Sequence, residues 1–237
     1  MVNKAVIALS CYNEKFYPDG AKTGVFAIES IHPFDTFKKA GYEVTFTSEN
    51  GKYGFDEHSL VKDFLDGEEL KAFKDPNSDF NKHLKNIKKA SDLKNEHFDI
   101  FFAAGGHGTL FDFPKAANLQ ELAANIYANG GVVAALCHGP AIFEGVKDKK
   151  TGRLLIEGKS VTGFTDTGED LVKVNSVMKD LGLLTIREIA EKIHAKYLPP
   201  LGAWDDFSIT DGRIITGVNP ASAISTARRA IDAHKST

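Results

Sequence analysis

The stretch Gly131-Val132-Val133-Ala134-Ala135-Leu136-Cys137-His138-Gly139-Pro140 constrains this chain more than any other. Val132 to Leu136 is too short for a helix, opens on β-branched residues and follows two glycines. It therefore reads as a buried parallel strand. Gly139 tolerates backbone angles that other residues avoid, and Pro140 suits the first turn of a helix. The expected path is strand, sharp turn, helix, with Cys137 at the corner, which is a nucleophile elbow with sulfur in place of oxygen. A lone cysteine in an apolar run is more often a packing residue, but the His-Gly-Pro that follows favours a reactive thiol. Free cysteine titrates near ~8.5, and helix N-terminal amides plus an adjacent imidazole are expected to lower that value at Cys137.

The remaining segments keep a βαβ rhythm. Residues 4–10, 43–48 and 98–103 read as strands. A helical pattern runs through Phe26, Ile28, Ile31, Phe34 and Phe37, and Pro33 is expected to kink or restart it. A second helical stripe holds Leu119, Leu122, Ala123, Ile126 and Tyr127, stopped by Asn129-Gly130. Residues 152–164 read as short strands turned at Glu157-Gly158. Residues 181–197 read as helices with Ile186, Ile189, Ile193 and Tyr197 on one face. Residues 207–210 and 213–216 form a hairpin at Asp211-Gly212, and Asn219-Pro220 opens a last helix. Residues 56–96, rich in Lys, Asp and Glu, break the rhythm and read as two or three solvent-facing helices inserted on the sheet edge or over a cleft. The whole, residues 1–237, is expected to be one α/β domain with a mostly parallel sheet covered on both faces.

A formal net charge of -3 argues against a nucleic-acid or anionic-membrane partner. With only Cys11 and Cys137, no disulfide framework is expected. No apolar run approaches ~20 residues, and Met1 leads into a strand without a signal-peptide pattern, so the expected location is cytoplasmic, with the nucleus also open to so small a protein. The eight histidines show no metal-ligand pair at helical spacing, so no metal is expected. The Gly152–Ser160 segment has the wrong spacing for a phosphate loop, and Gly105-Gly106-His107-Gly108 makes no dinucleotide fingerprint, so no cofactor is expected either.

Ligands of an open parallel sheet bind outside the carboxyl ends of its strands. Three such ends carry chemistry here: Cys11-Tyr12-Asn13, Gly105-Gly106-His107 and Cys137-His138. The glycine pair lets backbone N–H groups serve an oxyanion, although a tight turn would also need glycine. Glu29 sits among apolar positions of the first helix, where burial would raise its pKa and suit it to proton transfer. Glu169 lies in what reads as a polar loop, Thr165-Asp166-Thr167-Gly168-Glu169.

Three segments together resemble the ThiJ/PfpI superfamily: Gly106-His107-Gly108-Thr109-Leu110-Phe111-Asp112, Ala135-Leu136-Cys137-His138-Gly139-Pro140 and Gly163-Phe164-Thr165-Asp166. Within it they are similar to the fungal glutathione-independent glyoxalases, also called glyoxalase III or D-lactate dehydratase, a branch that includes stress-induced chaperone-like proteins. The resemblance implies a flavodoxin-like sandwich and a Cys-His-Glu triad on Cys137, His138 and Glu169. It also implies a second glutamate beside the thiol, on Glu29, and an oxyanion side on Gly105 and Gly106, with His107 beside them expected on the same oxyanion and substrate-binding side. The implied activity turns methylglyoxal and related 2-oxoaldehydes, with water, into D-lactate-type acids through a Cys137 hemithioacetal, with Glu29 moving the carbon-bound proton. A holdase chaperone and an amidase- or peptidase-type hydrolase are the rival readings. A homodimer and misfolded client proteins are the further partners expected.

Overall fold

The computed structural model describes residues 2–236, so Met1 and Thr237, the two ends of the expected domain, lie outside it. Its strands are β1 (Lys4–Ala8), β2 (Glu43–Ser48), β3 (Lys88–Lys89), β4 (Ile100–Ala103), β5 (Val132–Leu136), β6 (Ser160–Val161), β7 (Lys196–Tyr197), β8 (Ser208–Asp211) and β9 (Ile214–Gly217). Apolar runs without alternation, such as IFFA in β4 and VVAAL in β5, suit strands covered on both faces, and both are buried throughout. The main sheet has the order β3-β2-β1-β4-β5-β9-β8, parallel except for the antiparallel pair of β8 and β9. A second, two-stranded sheet pairs β6 with β7 in parallel.

Alternate residues of the central strands feed two cores. Val6, Phe101 and Val133 face one side, where helix Ala117–Ala128 packs through Leu119, Leu122 and Ala123. Ile7, Phe102 and Ala134 face the other, against helices Ala27–Lys39 and Ala223–Lys235. The connection leaving β1 thus covers one face and that leaving β4 the other. Chains that part in this way open a crevice at the strand carboxyl ends, here between β1 and β4 with β5 alongside.

Several expectations change. The first helix continues through Pro33, because the fixed proline φ is helical and only one N–H, the partner of the Glu29 carbonyl, is lost. Only Ser160–Val161 of the 152–164 segment is a strand; before it the chain turns, with Glu157 N–H donating to the Leu154 carbonyl at 3.1 Å and Lys159 N–H to the Ile156 carbonyl at 2.9 Å, while Leu155 and Ile156 still reach the core. Tyr197 leaves the helical face expected for it, since helix Ile186–Lys192 ends before His194, whose φ is 61°. Residues 56–96 form two short α-helices, Gly67–Lys74 and Asp79–Lys85, with 3-10 turns and edge strand β3. Among the described residues, no helix is long and apolar enough to cross a membrane.

Candidate active site

Cys137 follows β5 directly and takes φ 60°, a left-handed conformation uncommon outside glycine. Its backbone is held on both sides: its N–H donates to the Gly217 carbonyl at 2.9 Å, and its carbonyl accepts from Phe164 N–H at 2.9 Å. The elbow expected from the sequence is therefore present. The helix behind it, however, is a 3-10 helix, Gly139–Glu144, rather than an α-helix.

Sγ of Cys137 lies 3.2 Å from Nδ1 of His138. Nε2 of His138 lies 2.7 Å from Oε1 of Glu169, and all three side chains are buried. Glu169 belongs to helix Asp166–Leu171, capped by the Thr165 hydroxyl, and not to the polar loop expected. Burial works to raise Glu169, but the imidazoles of His107 and His138 hold its carboxyl well below the usual carboxylate range. A carboxylate only accepts, so Nε2 of His138 must carry the ring proton and leave Nδ1 bare toward the thiol. Burial, then the His107 ring, lowers His138 to about 4 despite the opposing pull of Glu169. His138 is therefore a neutral imidazole ready to accept the thiol proton.

Glu29 lies in the first turn of its helix, fully buried, with no hydrogen bond at either carboxyl oxygen. Burial raises it to about 8, against weaker downward pulls from the Cys137 thiol and the Gly105 amide that face it. At neutral pH it is a carboxylic acid. The Cys137 thiol is raised well above its ordinary value by burial and then by Glu29, with the Gly106 amide opposing. The expectation of a lowered thiol pKa is thus corrected: the sulfur is enclosed beside a carboxyl group, and its hydrogen-bond partner is the neutral His138 imidazole. The resting site holds a protonated thiol and a protonated Glu29.

The two glycines make this approach feasible. A Cβ on Gly105 would press against Glu29 Oε2 and sit 2.5 Å from the Leu136 carbonyl oxygen and 2.6 Å from Cys137 Cβ. Gly106 has φ 111°, and a Cβ there would lie 2.7 Å from the Phe26 nitrogen. Helix Ala27–Lys39 is in turn docked to this turn by Phe26 N–H donating to the Gly105 carbonyl at 3.0 Å. Gly105 thus makes room for Glu29, whereas the Gly106 amide faces the sulfur.

His107, expected on the oxyanion and substrate-binding side, lines a cavity together with Gly106 and Cys137 and points its Nε2 to the second oxygen of Glu169 at 2.8 Å. Its Nδ1 meets the Tyr17 hydroxyl at 3.2 Å, and that hydroxyl donates to Asp56 at 2.7 Å. Sequence patterns gave no signal for Tyr17 or Asp56, which sit in separate loops. Ligand atoms of His107, His138 and Glu169 lie within 4.8 Å of one another, a grouping that the absence of helical His spacing had hidden. Two histidines with a glutamate are a known zinc set. Here every ring nitrogen and both carboxylate oxygens already have a partner, so shared protons account for the cluster. Cys11 stands apart, half-buried beside Asp112, with its thiol pushed up to about 12 by burial and that carboxylate.

Above the sulfur is a cavity of about 90 Å³, walled by Phe26, Phe64, Phe164 and Trp204 with Tyr17 and His58. A parallel sheet wound on both faces, with a Cys-His-Glu cluster on the elbow after a central strand, defines a flavodoxin-like α/β protein built around a buried thiol. The chain belongs to the DJ-1/PfpI family, whose model matches residues 21–233. It is 62% identical to Glutathione-independent glyoxalase HSP31 of Saccharomyces cerevisiae over 232 residues, 98% of each chain. It is 56% identical to Glyoxalase 3 of Candida albicans, over 97% of this chain and 98% of the other. The crystal structure of glyoxalase III from Candida albicans superposes with a TM-score of 0.95 over 98% of this chain and 97% of that one.

Proposed function

We infer that this chain is a glutathione-independent glyoxalase, converting methylglyoxal and related 2-oxoaldehydes, with water, to 2-hydroxy acids. The observation that carries the chemistry is the burial of Glu29 against a thiol whose other neighbour, at 3.2 Å, is Nδ1 of His138. A small apolar cavity over them suits a small carbonyl substrate.

In the first step Sγ of Cys137 adds to the aldehyde carbon while its proton passes to Nδ1 of His138. The Glu29 acid protonates the aldehyde oxygen, giving a hemithioacetal and a carboxylate. That carboxylate then takes the carbon-bound proton as His138 protonates the neighbouring ketone oxygen, leaving an enediol. Glu29 returns the proton to the second carbon and His138 takes the first hydroxyl proton, so the thioester of a 2-hydroxy acid forms. Water attacks the thioester and gives a proton to Glu29, and the departing sulfur takes one from His138. The acid leaves, and thiol, neutral imidazole and protonated Glu29 are restored. In this cycle Glu29 serves first as acid and then as base, where the sequence suggested a base alone.

The test is turnover of methylglyoxal without glutathione, with wild type beside Cys137→Ala and Cys11→Ser. Wild type and Cys11→Ser should make 2-hydroxy acid, and Cys137→Ala none. An active Cys137→Ala would overturn the assignment of the nucleophile.

A further inference from the structure

We propose that His107 is a positioning residue of the triad. Clamped between Glu169 on one ring nitrogen and the Tyr17–Asp56 pair on the other, it carries a proton on both, fixes the carboxylate and keeps His138 in its thiol-accepting form. The proposal rests on reading Cys137, His138 and Glu169 as the reacting triad.

Counting protons along the chain of contacts leads there. Asp56 accepts at three points: Oδ2 from the Tyr17 hydroxyl at 2.7 Å and the Thr23 hydroxyl at 2.8 Å, Oδ1 from the His58 amide at 2.9 Å. As a carboxylate Asp56 only accepts, so the single phenol proton of Tyr17 points to it. What remains toward His107 is a phenol lone pair, and Nδ1 must supply the proton for the 3.2 Å contact. At the far side of the ring, one more proton lies between Nε2 and Glu169 Oε2, 2.8 Å apart. Glu169 is a carboxylate, held below the usual range by the two imidazoles, and a carboxylate only accepts, so the proton of this contact resides on His107 Nε2. Tyr17 remains a phenol, because burial and then Asp56 raise it well above its ordinary value.

The titratable groups that face this ring, among the described residues, are Glu169, Tyr17 with Asp56 and His58 behind it, and His138 with Cys137; the Phe16 and Phe164 rings complete its surroundings. The His107 and His138 ring centroids are 4.0 Å apart. A cation at that distance opposes protonation of His138, while Glu169 alone would promote it. His107 thus offsets the charge of Glu169 without removing its hydrogen bond to His138. The outcome is an oriented imidazole that stays neutral.

Two measurements test this. First, histidine-selective 15N NMR at pH 7 reads the proton count without substrate, with His107→Asn used to assign the ring among the eight histidines. Wild type should show both His107 ring nitrogens protonated, and Tyr17→Phe should show one bare. A bare His107 nitrogen in wild type overturns the proposal, whatever the substrate proves to be. Second, the low-pH limb of kcat/KM for methylglyoxal should follow His138, near 4 in wild type. Removing a like charge at this range shifts such a limb by about 1–3 pH units, so Tyr17→Phe and His107→Asn should lose about two- to fiftyfold between pH 7 and pH 5. A limb unmoved in both variants overturns the coupling. A merely structural role would lower activity equally at both pH values.

Discussion

At the scale of single residues, the decisive quantity is where protons rest. Glu29 could be singled out in the sequence because a carboxylate stood among apolar neighbours, but its protonated state followed only from total burial beside the thiol. Glu29→Gln should lower turnover by about 10²- to 10⁴-fold, the usual worth of a positioned acid–base group. In deuterated water the wild-type product should carry deuterium on its second carbon. Near-normal turnover in Glu29→Gln with no label would exclude the proton shuttle. On the proposed mechanism the acid form of Glu29 starts the reaction, so kcat/KM should also fall above about 8, giving a bell between His138 near 4 and Glu29. The same group couples pH to stability. Between its ordinary value of 4.5 and about 8, the folded chain holds the Glu29 proton and the unfolded chain has lost it. Stability therefore falls as pH rises through that window. Thermal melts should show this decline in wild type and a flatter profile in Glu29→Gln.

At the scale of elements, the strand–elbow unit was legible because its signals are local. β-branching fixed β5, and the small residues around Cys137 marked the turn. The conformation of Cys137 itself depends on distant backbone partners, the Gly217 carbonyl and the Phe164 amide. The helix after it relaxes to 3-10, and that difference was not written in His-Gly-Pro. The Gly105-Gly106 turn was visible as a need for glycine, but the reasons for the need were not. Gly105→Ala would drive a methyl group into Glu29 and Cys137. Overpacking of this kind costs about 1–3 kcal/mol, so a lower denaturant midpoint and at least a hundredfold loss of activity are expected. Wild-type activity in this variant would mean that Glu29 need not lie against the sulfur.

At the scale of the whole molecule, two separate loops close the cavity: Phe64 from the charged insertion and Trp204 from the segment before β8. Phe64 packs 5.0 Å from Phe26, while Trp204 lies 5.8 Å from Phe164 and remains 43% exposed. An aromatic contact of this sort contributes about 0.5–1.5 kcal/mol, so Trp204→Ala should raise KM roughly two- to tenfold with kcat nearly kept. A fall in kcat alone would assign Trp204 to the chemical step instead. The sequence by itself determined the parallel sheet, the elbow and the Cys137-His138 pair, because hydrophobic period, β-branching and the angles of glycine and proline act over a few residues. Only the tertiary structure decided that β1, β4 and β5 are neighbours, that Glu169 is buried in a helix, and that His107, 62 residues away from it, shares its second oxygen. Those outcomes depend on which distant groups are enclosed together. Burial and the charge of the neighbours, more than residue type, set where each proton lies.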